Sequence, residues 1–166
     1  TEAAVRAMRT RFRLGLFADD CEYDKISYDV VACKEHRQAA VRAAEKSVVL
    51  LKNDGILPLK KTMEKLAVVG PNADSRWPLI GNYHGTAPRY VTVLEGIETV
   101  AENVRLHYSE GCHTMKDRVE ELALPNDRVS EAVCAAREAG TAVVCLGLDE
   151  RYEGEQHDVG NRFDET

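Results

Sequence analysis

The sequence predicts a three-layer α/β sandwich with a mainly parallel sheet, preceded by a helical and irregular linker. Three observations predict it. Short β-branched runs, "LAVVG" (66–70) and "TAVVCLGL" (141–148), are continuously apolar, as strands covered on both faces must be. Amphipathic helical segments stand between the strand segments. The order strand–helix–strand–helix–strand needs crossover connections, and those make parallel neighbours.

Each element has its own signal. Near the start, Val5, Met8 and Phe12 share one face at i, i+3 and i+7, and Gly15 can stop the helix after Leu14. Arg6, Arg9, Arg11 and Arg13 in this segment read as a solvated face. Residues 16–34 are polar, irregular and linker-like. A second helix is expected over about 36–49, with Ala39, Ala40, Ala43, Ala44 and Ser47 as a flat, small-residue face. Asn53-Asp54-Gly55 is a turn signal. "TVLEGIETVAE" (92–102) is a helix with Thr92 and Glu95 in the spacing of a capping box. "NVRLHYS" (103–109) alternates and reads as a strand. "NDRVSEAVCAAREAG" (126–140) is a helix with Asn126 or Asp127 as cap and Gly140 as stop.

Composition narrows the function. The chain has 166 residues, 44% hydrophobic and 30% charged, with 22 basic and 28 acidic residues and a net charge of -6. That supports one domain with a core. It disfavours nucleic acid as a partner, because phosphates repel an acidic surface. No apolar run reaches the roughly 20 residues that cross a bilayer, so no membrane partner is expected. The opening "TEAAVRAMRTRFRLGLF" is charged throughout, unlike a secretion signal, and it lacks an initiator Met, as a piece of a longer chain would. The five cysteines (Cys21, Cys33, Cys112, Cys134 and Cys145) are odd in number and irregular in spacing. Cys134 and Cys145 read as buried free thiols, and a reducing, cytoplasmic location is the simpler expectation. Cys33 with His36 is half a metal clip without a second half, so no metal and no organic cofactor are expected.

In parallel α/β sheets ligands gather at the carboxyl ends of the strands. Three segments leave that edge: 70–75, 110–117 and 149–158. "VVGPNADS" is a poor phosphate loop, since Pro71 removes a backbone donor. The expected alternative is a turn in which Asn72 and Asp74 cap the next segment of chain. "GLDERYEGEQHD" (147–158) packs five carboxylates into ten positions: Asp149, Glu150, Glu153, Glu155 and Asp158. Two readings stand on the residues alone. One is a solvated loop. The other is a general acid whose proton is held by neighbouring negative charge. A calcium loop fits less well, because the spacing differs from the 12-residue pattern.

Several strings, in order, resemble glycoside hydrolase family 3 of the β-glucosidase and β-xylosidase type: "RTRFRLGLFAD", "AAEKSVVLLKNDGILPLKK", "LAVVGPNAD", "GNYHGTAPRYVTVLEGI", "YSEGC" and "VVCLGLDERYEGEQHD". The resemblance implies that residues 1–34 close an N-terminal barrel domain and form a linker. It implies that 35–166 are an incomplete C-terminal α/β sandwich. It further implies a retaining exo-glycosidase acting on β-glucosides or β-xylosides from the non-reducing end. It also implies a nucleophilic Asp on that barrel domain, outside this sequence. The family pattern E-x-E-G-x-D-R falls on Glu153 to Asp158, which makes Glu155 the acid/base candidate and Glu153 its runner-up. Gln156 and Val159 depart from the pattern. The partners implied are a carbohydrate substrate, the barrel domain and a second copy of the chain through uncovered edges. The rival reading is a non-catalytic carbohydrate-binding or domain-interaction module.

Overall fold

The structure is a computed structural model and describes residues 1–60, 62–81, 85–114, 116 and 124–149. The chain forms two compact units, residues 1–52 and 53–166.

The first unit is helical. Helix α1 spans Glu2–Arg13 and α2 spans Lys34–Ser47, with 3-10 turns at Glu22–Lys25 and Tyr28–Val30 between them. Gly15 ends α1 as expected: at φ 74° it lets its own amide reach the Phe12 carbonyl, and the Leu16 amide reach that of Arg11. Phe12 and Phe17 then meet with ring centroids 4.6 Å apart. No residue of α1 or α2 is buried, so the apolar stripe of α1 and the alanine face of α2 are both exposed.

The second unit carries the sheet. Strands β1 (Lys65–Val69), β2 (Arg105–Ser109) and β3 (Ala142–Val144) lie in the order β2-β1-β3, both pairs parallel. Val68 of β1 is level with Tyr108 on one side and Val143 on the other. Helix α3 (Val93–Val100) connects β1 to β2, and α4 (Asp127–Ala139) connects β2 to β3. The expected parallel α/β sheet with helical crossovers is therefore observed.

The central strand holds the core. Leu66, Ala67, Val68 and Val69 are all buried. Leu66 and Val68 pack with Ala73 and with Leu94, Ile97, Leu106 and Val143. Alternation leaves Ala67 and Val69 for the opposite face, toward α4, where the small Ala67 permits close approach. Lys65 Nζ lies 2.6 Å from Glu138 Oε1, clipping the start of β1 to the end of α4. That contact holds the Glu138 carboxyl below its usual range, although the pair is solvent-exposed and adds little stability.

Two local expectations need correction. The ladder of the third strand stops at Val144 rather than continuing to Leu148. Its partner β1 turns away at Gly70, just after the Cys145 amide has donated to Val69, the final residue of that strand, at 2.8 Å. At the start of α4, Asn126 occupies the cap position at φ 63° without a side-chain cap bond, while the Asp127 carboxylate accepts from the Leu124 amide. Gly140 at φ 75° ends α4 as expected.

The capping box of α3 is complete. Thr92 Oγ1 accepts from the Glu95 amide at 3.2 Å, and Glu95 Oε2 accepts from the Thr92 amide at 2.9 Å. The Thr92 hydroxyl also donates to Asp74 at 2.9 Å, and Thr92 is buried. Thr92→Ala should therefore destabilise the second unit by about 2 kcal/mol, with Thr92→Ser recovering most of it. Urea midpoints of the three proteins measure this.

Candidate functional site

At the carboxyl edge of the sheet one turn, Gly70–Asp74, bonds to β2, to the chain after β3 and to the start of α3. The Gly70 amide donates to the Ser109 carbonyl of β2 at 3.0 Å. Gly70 has φ 114°, and a Cβ placed there would lie 2.3 Å from the Cys145 carbonyl oxygen. Only glycine allows that approach. The Asn72 amide donates to the same Cys145 carbonyl at 3.2 Å, and Asn72 Nδ2 donates to the Gly147 carbonyl at 3.1 Å. On the other side Ala73 accepts from the Leu94 amide at 2.9 Å, and Asp74 accepts from Thr92.

Asn72 and Asp74 thus do not cap the chain immediately after them. They bond across space, to the chain beyond β3 and to the start of α3. The amides of Gly70, Asn72 and Ala73 all have protein acceptors, which removes the donors a phosphate would need.

Beside this turn lies a polar cleft of about 640 Å³, open between β1, β2 and α3. Asp74, Arg76, Trp77, Glu95, Tyr108 and Glu110 are among its lining residues. Arg76 faces Glu95 at 3.9 Å. Burial, with the charges of Glu110 and Asp74 behind it, pushes the Tyr108 phenol up. Burial also pushes the Cys145 thiol up. Cys134, expected to be buried, is exposed: it lies on the side of α4 turned away from the sheet.

Of the acidic run, Asp149 is described and is buried at 4% exposure. Glu150, Glu153, Glu155 and Asp158 lie outside the described residues. Among the described residues no group of three His, Cys, Asp or Glu side chains is placed to hold a metal ion. The cleft residues Trp77 and Tyr108 carried no sequence signal beyond an aromatic after a turn and an aromatic near a strand end. The Asn72–Gly147 bond carried none, since its partners are 75 positions apart.

A parallel sheet whose carboxyl ends are gathered by one glycine turn defines an α/β domain, the class in which ligands gather at that edge. The Glycosyl hydrolase family 3 C-terminal domain matches residues 48–165, and the chain belongs to that family. It is 36% identical over 168 residues to a β-xylosidase of Formosa agariphila, covering 95% of this chain and 22% of that protein. A xylan 1,4-β-xylosidase of Xylanibacter ruminicola is 39% identical over 129 residues, covering 76% and 15% respectively. A solved family 3 exo-β-xylosidase in complex with a xylobiose aziridine probe superposes with a TM-score of 0.71 at 32% identity, covering 83% of this chain and 17% of that one. The β-glucosidase of Listeria innocua in complex with isofagomine gives 0.69 at 27%, covering 96% and 21%. The chain therefore spans about a fifth of the length of the relatives it matches.

Two outcomes are expected from this geometry. Gly70→Ala should cost at least about 3 kcal/mol, because the new methyl overlaps a backbone carbonyl and the residue must keep a positive φ. Chemical denaturation of the purified variant checks this. Stability should also fall in alkali. Both the Tyr108 phenol and the Cys145 thiol are harder to ionise folded than unfolded. Their contribution is full below their ordinary values and is lost as pH rises through the raised ones. Tyr108→Phe combined with Cys145→Ala should flatten the alkaline limb of the urea midpoint against pH.

Proposed function

We propose that the chain supplies the general acid/base loop of a retaining exo-β-glycosidase, with β-xylosides the favoured substrates and β-glucosides the alternative. The parent protein carries the nucleophilic Asp on an N-terminal barrel domain, and the sugar binds between that domain and the acidic loop. The observation that carries this reading is the take-off point. The acidic run begins directly after β3, on the carboxyl edge, from a backbone tied to the Gly70–Asp74 turn. Membership of family 3 supports the reaction class, and the β-xylosidases among its relatives support the sugar.

Glu155 is the proposed acid/base, with Glu153 second. A retaining mechanism needs two carboxyl groups about 5–5.5 Å apart across the anomeric carbon. One attacks as carboxylate and forms the glycosyl-enzyme. The other gives its proton to the departing oxygen, then takes one from the water that hydrolyses the intermediate. The second group must hold a proton near neutral pH, which neighbouring negative charge favours, and five carboxylates fall within residues 149–158 of the sequence.

In the full-length protein, Glu155→Ala should lower kcat/KM for poor leaving groups roughly 10²- to 10⁴-fold. It should spare kcat/KM for an activated aryl glycoside. Azide should restore kcat on that activated substrate by attacking the glycosyl-enzyme without base assistance. Rescue in Glu153→Ala instead would exchange the two assignments. Near-normal rates in both variants would make the acidic run a solvated loop. The 166-residue chain by itself should hydrolyse neither substrate.

A further inference from the structure

We propose that Asn72 is a positioning residue for the acid/base loop, acting through the backbone of residues 145–149. The inference rests on the reading that a carboxylate of the acidic run is the acid/base, and it adds the device that aims it.

Val144 is the last residue of β3, and beyond it the chain is tied to the end of β1 and to the Gly70–Asp74 turn. The Cys145 amide donates to Val69 at 2.8 Å, its carbonyl accepts from the Asn72 amide, and the Gly147 carbonyl accepts from Asn72 Nδ2. The last is the outermost of these ties and the only one made by a side chain. Gly147 is shaped to receive it: a Cβ there would lie 3.1 Å from Asn72 Nδ2. Leu146 and Leu148, which flank it, are 67% and 50% exposed and give the segment little packing. Two residues beyond Gly147, Asp149 is buried. A segment with exposed side chains is thus directed by backbone contacts, and Asn72 makes two of them.

The turn is itself fixed from the other side. Ala73 and Asp74 are bonded to Leu94 and Thr92 at the start of α3. Asn72 therefore transmits the position of a helix and a buried strand to the root of the acidic run. Acid/base catalysis is sensitive to such placement, since an error near 1 Å can cost about a hundredfold in rate.

Asn72→Asp tests this, because it keeps the shape and turns the amide donor into an acceptor facing a carbonyl. Asn72→Ala removes the contact without repulsion, and circular dichroism establishes that each variant folds. In the 166-residue chain, both substitutions should speed amide hydrogen exchange within residues 145–149 and leave residues 93–100 unchanged. In the full-length protein, both should lower kcat/KM for poor leaving groups by about a hundredfold. They should leave kcat/KM for an activated aryl glycoside close to that of the parent. Unchanged exchange at 145–149 overturns the anchor. Equal losses on both kinds of substrate overturn the positioning role, since general damage to the fold lowers both. Absence of leaving-group selectivity in Glu155→Ala and Glu153→Ala, with exchange still raised in Asn72→Asp, would instead remove the acid/base reading and with it the catalytic purpose of the anchor.

Discussion

The approach of the Cys145 carbonyl to Gly70 is the contact on which the carboxyl edge depends. It brings the chain leaving β3 within hydrogen-bond reach of the turn leaving β1. A side chain at position 70 would separate the two by the width of a methyl group. The Asn72 amide would then lose its acceptor, and the Asn72 side chain its reach to Gly147.

The sheet can support such a turn because its central strand is the most buried part of the molecule. Val68 and Ala67 have no exposed surface, whereas the outer strands are only partly covered. A turn continuous with the buried strand inherits its rigidity. The capping box of α3 extends that rigidity sideways, since Thr92 serves the helix and Asp74 together. Energetically these are modest bonds, each contributing on the order of 1 kcal/mol. Their effect comes from being connected, so that moving one end strains several others.

This arrangement suits the proposed role, in which a catalytic carboxyl group is borne on the chain after β3. Chemistry at a glycosidic bond asks for a carboxyl group placed within a fraction of an ångström. A loop supplies reach, and a braced root supplies direction. The polar cleft near Trp77 and Tyr108 lies on the β2 side of the same turn, so changes there bear on the turn that holds the chain after β3.

Much of this was legible in the one-dimensional pattern. Continuous apolar runs marked β1 and β3, the Thr92–Glu95 spacing marked the start of α3, and Gly15 and Gly140 marked helix ends. These signals are local: each depends on residues within a turn or two of one another, so the sequence alone determined them. The acidic run and its place after a strand were legible for the same reason. The Asn72–Gly147 bond, the contact of Gly70 with Cys145, the exposure of Cys134 and the early end of the β3 ladder were decided only by the tertiary structure. Each depends on which strand lies beside β1 and where that strand turns away. Pairing across 75 residues is set by the packing of the whole sheet, and a glycine in sequence does not say which carbonyl will come to fill the space it leaves.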